Sequence, residues 1–482
     1  MRKFPRLKVL SQEEVKTIYD KALEFLAVKG VQANHPEALK FLEKAGLPVD
    51  FDNQQVKFPK DMVEWALKTV PHSILFAGQD EQRNSILPHP DGLCYTWAST
   101  GCRYYVKPFS NEYGDVTLTQ VAEWGQLIES LDNIDHAAYL TPTDVPTKTT
   151  DIHSLKTIFE NTSKHVYSQP HSTASVKYLI ELASVIAGGA DALRKKPVMH
   201  MFAGSVAPYV FSDMDMEIIM QSCRHRMPVE VQSLTCMGAT TPVTIAGNML
   251  VGTIEILAQL VMTQLFQPGT PVLADTPGGS TMDMTTGQAQ YSSIESILAA
   301  VSGIQIAKDV FQTPTRRLGW CSDSYIPDGQ ATIEVGLRAL LTASAGLDVI
   351  GSAGRLCSLK AISYVQLILD DTLASVIKRM LQGVVIDKET LAEQDILETS
   401  PGGHFLEAAH TLRHCRDALR PELLHLPSRE TWMAEGSKDL ATRAADKYEE
   451  LKKKMQPLDL PKEVKKELTK IVKHADEHLG ES

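Results

Sequence analysis

The sequence predicts an α/β fold, a TIM (β/α)8 barrel with an N-terminal helical and short-strand extension and a C-terminal helical tail. Three observations carry that reading. Short apolar segments recur roughly every 30 to 45 residues from Asp135 onward, the rhythm of parallel strands. Amphipathic stretches of crossover length, such as "SIESILAAVSGIQIAKDV" from Ser293, separate them. No GxGxxG follows any of these segments, which weakens the alternative of a doubly wound open sheet.

Residues 1–130 read as the extension, packed on the barrel because no low-complexity linker separates the two. Ser11 and Glu14 form a capping-box pattern ahead of "VKTIYDKALEFLAVKG", which Gly30 closes. A second helix, "HPEALKFLEKAG", ends at Gly46, and a third, "KDMVEWALKTV", stops before Pro71. From Ser73 to about Val116 the pattern turns to short strands and turns, including the aromatic-rich "LCYTWASTGCRYYV". Residues 131–427 hold the predicted barrel. Its strand segments are "DHAAYLTP", "KHVYSQP", "PVMHMFAG", "PVEVQSL", "PVLADTP", "RRLGWCSD" and "LDVIGSAG", and the eighth strand does not declare itself. Residues 428–482 read as charged helices rich in Lys and Glu, either a solvated face or a docking surface for a partner.

The 482 residues are 43% hydrophobic and 22% charged, an ordinary globular balance. A formal charge of −11 with no basic block argues against nucleic acid as a partner. Seven scattered cysteines without a CxxC pair suit reduced thiols and a cytoplasmic location better than a disulfide framework. The apolar stretch from Thr244 to Gln267 is interrupted by Asn248, Glu255 and Gln259, so no membrane association is expected. A homo-oligomer is expected, since barrels of this size often associate.

In a barrel the chemistry comes from the C-terminal ends of the strands. Those ends supply Tyr139 and Thr143, Gln169 and His171, Phe202 and Ser205, Gln232 and Thr235, Asp275, and then Asp323 and Tyr325 in "GWCSDSYIPDGQA". There is no G-x-S-x-G and no Walker loop, and the glycine-rich "TPGGSTMDMTTG" lacks a phosphate-binding lysine. His410 and His414 are four apart on a predicted helix, with His404 upstream. That spacing can share a zinc, but no H-E-x-x-H pattern or thiolate pair accompanies it, and a metal-free site fits better. Aromatic residues are conspicuous: Tyr95, Trp97, Tyr104 and Tyr105 in one stretch, and Phe202, Trp320 and Tyr325 at strand ends. They read either as core packing or as a cage for a quaternary ammonium group.

Several long, ordered stretches carry a resemblance. "GATTPVTIAGNML", "GTIEILAQLVMTQLFQPGTPVLAD", "SDSYIPDGQATIEVGL" and "SPGGHFLEAAHTLRHCR", with "VKGVQANHPEALKFLEKAG" and "DVTLTQVAEWGQLIESLDNID" upstream, resemble the trimethylamine:corrinoid methyltransferase superfamily through nearly the whole chain. The resemblance implies a TIM barrel that passes a methyl group from an amine to the cobalt of a small corrinoid protein, without zinc. No cofactor is then bound directly, since the partner carries the cobalamin. Trimethylamine enzymes of the superfamily place pyrrolysine at the position that matches Tyr325. Its absence implies a quaternary-amine enzyme, of the kind that demethylates glycine betaine, proline betaine, carnitine or γ-butyrobetaine. On that footing Tyr325 and Asp323 are the expected catalytic pair. Tyr95, Trp97, Tyr104, Phe202 and Trp320 are the expected cage, and His171, Arg103, Gln330 and His404 the candidate donors to a substrate carboxylate. Asp323 and Asp328 are expected to fix the mouth loop through hydrogen bonds and to add negative potential around the cation. Two alternatives stand beside this reading, a non-catalytic betaine-binding barrel and a metal-dependent hydrolase using His404, His410 and His414.

Overall fold

The computed structural model describes residues 4–424 and 427–480. Eight parallel strands make the barrel: β1 (Tyr95–Ala98), β2 (Ala137–Ala138), β3 (Val166–Ser168), β4 (Met199–Ser205), β5 (Val229–Ser233), β6 (Val272–Asp275), β7 (Thr315–Leu318) and β8 (Val349–Ala353). Around the ring β1 lies beside β8, and the order descends from β8 to β2. A parallel bridge between Trp97 and His136 joins β2 back to β1.

The strand that the sequence did not declare is therefore β1, inside the stretch expected to be extension. All four of its residues are buried, so it lacks the apolar–polar alternation by which a half-exposed strand is recognised. The barrel consequently begins near Tyr95, and residue 131 falls within it rather than at its start.

The remaining N-terminal elements brace the barrel. Helix α1 (Gln12–Val28) starts with the Ser11–Glu14 capping box and ends at Gly30, where φ is +72° and any Cβ would strike the Val56 carbonyl. Helices α1 and α2 (Lys60–Thr69) pack on α3 (Ile245–Phe266), the long apolar crossover between β5 and β6. Its length and apolar composition would suffice to cross a membrane, but 78% of its most apolar window is buried inside the fold. Glu255 is tolerated there because its carboxylate accepts from Ser233 Oγ at 2.6 Å and the Tyr209 amide at 2.7 Å, and also from Ser205 Oγ.

Helices α4 (Ile294–Ile306), α5 (Gly329–Ala345) and α6 (Tyr364–Leu381) complete the outer layer after β6, β7 and β8. The charged C-terminal helices α7 (Leu440–Lys452) and α8 (Lys462–Leu479) wrap that layer. Tyr448 stacks on Tyr364 with ring centroids 5.0 Å apart, and Leu468, Val472 and Ala475 are buried. The tail is thus amphipathic, with its Lys and Glu residues facing outward.

A hairpin of Ile74–Phe76 and Ser85–Leu87 seals the N-terminal end of the barrel. Phe76 stacks on His165 at 4.0 Å and on His200 at 4.6 Å, just where β3 and β4 begin. Removing that ring uncovers two buried imidazoles and leaves a cavity. Phe76→Ala should lower unfolding stability by about 3–5 kcal/mol in urea titrations. A loss below about 1 kcal/mol would show that the hairpin does not seal the base.

Candidate functional site

The lumen is filled by charge, and that decides where a ligand can sit. Arg316 on β7 reaches inward to Glu230 on β5, and its guanidinium also lies 3.8 Å from Asp275 on β6. Its flat face covers the Trp97 indole at 4.8 Å. Arg317 donates to Asp275 at 3.2 Å and to the Thr276 carbonyl at 3.1 Å.

Below this pair a tautomer chain runs to the base. The Ala77 carbonyl can only accept, so His165 Nδ1 donates to it at 3.1 Å. His165 Nε2 then accepts from His200 Nδ1 at 2.9 Å. That leaves a lone pair on His200 Nε2, 3.5 Å from Glu230. Burial, seconded by Arg316, pushes His200 down to about 3. Burial also pushes the Glu230 carboxyl up, against the pull of Arg316. The close Arg316–Glu230 contact is that of an ion pair, and the axis of the barrel is packed shut.

A ligand site is therefore confined to the C-terminal mouth, above the ion pair. One carboxylate ties three mouth loops together. Asp323 accepts from the Tyr291 amide at 3.2 Å and the Ser292 amide at 2.8 Å, both in the loop after β6. It also accepts from Ser358 Oγ after β8 at 2.9 Å. Glu334 in turn holds the Asp323 amide at 2.8 Å and Ser322 Oγ at 2.6 Å. Asp328 caps α5 through the Ala331 amide and accepts from Ser324 Oγ, both at 3.0 Å. Tyr113 donates to the Tyr325 carbonyl at 2.6 Å from the hairpin that crosses the mouth. The loop is rigid by construction, and its Tyr325 ring is 62% exposed.

The predicted residues scatter more widely than a cage requires. Tyr95 lies at the base, donating to the Ile86 carbonyl, with burial pushing its phenol up to about 12. Trp97 already serves a resident cation, Arg316. Trp320 is fully buried in the outer core between barrel and helices. Tyr104 stands half-exposed in the sheet over the mouth, opposite Asp115. Gln330 is engaged with Glu334 on α5 at 2.7 Å. His171 and Arg103 are exposed beside β3 and β1. Phe202 does lie on the lumen side, and Gly204 leaves it room, since a Cβ there would come within 2.5 Å of its ring. Asp323 anchors loops, and its oxygens are occupied by the Tyr291 and Ser292 amides and Ser358, so its position is that of a latch rather than a reacting group.

His404, His410 and His414 lie outside the barrel altogether, between α6 and α7. His410 and His414 gather with Glu389, their ligand atoms within 4.8 Å of one another. His414 also contacts Asp417 at 2.6 Å. The histidines of the hydrolase alternative therefore lie away from the barrel mouth.

Three further residues escaped the sequence reading, one inside the lumen and two at the mouth. Tyr167 on β3 is buried in the lumen level with His200 and packs against His200, Trp97 and Phe202. Tyr291 is held half-buried by the Asp323 latch and by Arg338, which donates to its carbonyl. Arg355 lies two residues past β8, donating from Nε to the Leu359 carbonyl at 3.2 Å and from Nη1 to Ser352 Oγ at 3.5 Å. Among the described residues no carboxylate pairs with Arg355. Its charge instead acts on the two phenols, opposing the burial that pushes both upward. The strand ends chosen from the sequence stop at Tyr325, and Arg355 lies just beyond the last strand segment, "LDVIGSAG".

Comparison with known proteins places this geometry in context. The sequence model described as trimethylamine methyltransferase (MTTB) matches residues 1–480. The trimethylamine methyltransferase MttB of Desulfitobacterium hafniense is 30% identical, over 98% of this chain and 94% of its own. The MttB1 protein of Methanosarcina acetivorans is also 30% identical, over 98% and 95%. A glycine betaine methyltransferase of Desulfitobacterium hafniense is 24% identical, over 99% of both chains. Among solved structures, the hydroxylamine complex of MtmB superposes with a TM-score of 0.50 at 11% identity, over 93% of this chain and 95% of that one. That likeness speaks to the fold, a barrel of the same kind.

The buried imidazole chain makes a differential prediction. His200 has its folded pKa lowered, so the native state keeps it neutral where the unfolded chain takes up a proton. Its contribution is intact above about pH 6.5 and is lost as pH falls toward about 3. Relative to His200→Gln, the native protein should lose about 1.4 kcal/mol more per pH unit below about pH 6, by urea unfolding. Parallel pH profiles for the two proteins would contradict a neutral, buried His200.

Proposed function

The chain belongs to the trimethylamine methyltransferase (MTTB) family, and from that premise we propose that it demethylates a quaternary amine bearing a carboxylate, with a corrinoid protein as methyl acceptor. The observation that carries this reading is Arg355, a half-buried guanidinium at the mouth without an acidic partner among the described residues. A guanidinium in that position suits a carboxylate, and trimethylamine has none. Tyr325, at the position where the resemblance sets pyrrolysine, supports the same substrate class, as does the likeness to a glycine betaine methyltransferase.

The rim fits a corrinoid-bearing partner. Val206, Leu234, Val243, Met284 and Tyr325, in the loops after β4, β5, β6 and β7, present exposed apolar surface around the mouth. The reduced corrinoid supplies the nucleophile that receives the methyl group. The residues of this chain have a narrower task. As the N–CH3 bond breaks, its electron pair stays on nitrogen and a neutral tertiary amine leaves, so neither a general acid nor a base is needed. What remains is positioning, with the carboxylate held by Arg355 and the ammonium between Tyr291 and Phe202. The ammonium loses its charge on the way to the transition state. Arg355, the one of the nearby guanidinium groups without a carboxylate partner among the described residues, therefore disfavours the charged ground state more than the transition state, which raises the rate while the carboxylate keeps the substrate bound.

The test is methyl transfer from a panel of betaines and from trimethylamine to a reduced corrinoid partner, followed by the corrinoid absorbance. Turnover with at least one carboxylated quaternary amine is expected. Arg355→Gln should raise KM for it by about 10- to 100-fold with a smaller change in kcat. Turnover of trimethylamine alone sinks the reading.

A further inference from the structure

Between α6 and α7 the chain makes an excursion that the rest of the protein does not cover. Residues 384–420 contain two short helices, Glu393–Glu398 and Ala409–His414, and neither has a buried residue. Polar contacts inside the segment give it shape: Arg413 and His414 meet Glu389 at 3.0 and 3.1 Å, and the His410 amide donates to Asp395 at 2.9 Å. Its apolar side chains point away. Val384 is 81% exposed, Leu397 85% and Leu406 77%, with Ile386 and Leu412 similarly open. An apolar surface of this extent on a segment with no core of its own marks an interaction site.

A second bare apolar surface lies on the outer layer. Ile333, Leu337 and Leu340 form an i, i+4, i+7 stripe on α5, and Ile294 and Leu298 stand one turn apart on α4, which packs beside α5. Elsewhere on the two helices the apolar side chains, such as Ile297, Val301 and Ile304 on α4 and Val335 and Ala339 on α5, are buried. A solvated barrel helix has no use for such a stripe.

We propose that a second copy of this chain covers both surfaces, each copy laying its 384–420 arm across the α4–α5 face of the other. Each chain carries both halves of such a contact, which is the condition for a closed two-fold exchange. The area suffices. Ten exposed apolar side chains on the arm, at roughly 60–90 Å² apiece, give on the order of 600–900 Å² per chain, near the ~800 Å² of a standard stable interface. The arm's point of departure also favours a second copy over a corrinoid partner. It leaves the end of α6, where Lys378 pairs with Asp135 just ahead of β2, at the sealed base of the barrel. A methyl-accepting partner has to address the opposite, open end.

The experiment is sedimentation of the full chain at micromolar concentration, with two paired variants. The native protein should sediment as a dimer or a larger even-numbered assembly. Leu397→Asp with Leu406→Asp on the arm, or Ile333→Asp with Leu337→Asp on the face, should each reduce it by dissociating the exchange, with the near-UV spectrum unchanged. Mixing the arm variant with the face variant should restore association, more weakly, because one of the two exchanges can still form. Glutamine in place of aspartate serves if either variant fails to fold. A monomeric native protein overturns the proposal, and so does an arm variant that associates as the native protein does. A face variant that still associates fully overturns the assignment of that face. An arm variant that keeps its assembly but no longer transfers methyl groups to the corrinoid protein assigns the arm to that partner instead.

Discussion

The guanidinium of Arg316 is the contact on which the rest of the barrel depends. It lies between Glu230, Asp275 and the Trp97 indole, linking β7 to β5, β6 and β1 across the axis. Such a pair adds little net stability over an apolar core, yet losing one partner strands a buried charge and costs about 3–5 kcal/mol. Its structural consequence is larger than its energy. With that layer occupied and Phe76 sealing the layer below, the barrel has one open end, and any ligand must lie above the ion pair.

Above it, the mouth is built for rigidity. Asp323 binds two amides and a hydroxyl from two other loops, and Glu334 and Asp328 secure the loop that carries Asp323. The reaction proposed here needs no proton transfer and depends on holding one bond in line with its acceptor, a task that fixed loops suit. The positive groups around the lumen are no obstacle to a cationic substrate that also bears a carboxylate. Arg316 and Arg317 are matched by Glu230 and Asp275, which leaves Arg355 as the group proposed to meet the carboxylate.

The fold was legible in the sequence wherever a strand was long and apolar and followed by a helix of crossover length. β1 was not, because "YTWA" is buried on both faces and carries no alternation, and β2 is only two residues long. The site was legible less well. Inward-facing residues are visible as a period of two, but their height along the barrel axis is not. So Tyr95 and Trp97, both inward, read as a cage although one lies at the base and the other beneath Arg316. Trp320 faces the helices, a direction that an irregular strand end conceals. Asp323 was expected both in the catalytic pair and as a loop anchor, but its anchoring partners could not be named because they lie more than thirty residues away in sequence. Arg355 could have been found, since it lies two residues past β8 and directly follows the segment "LDVIGSAG".

The central claim is that the mouth recognises an anionic group as well as an ammonium. Calorimetric titration of the full chain, with no corrinoid partner present, compares glycine betaine with tetramethylammonium, which has the same cationic head and no carboxylate. An advantage of about tenfold or more for the betaine, abolished by Arg355→Gln, is expected. Equal affinities, or an advantage that survives the loss of Arg355, would contradict it.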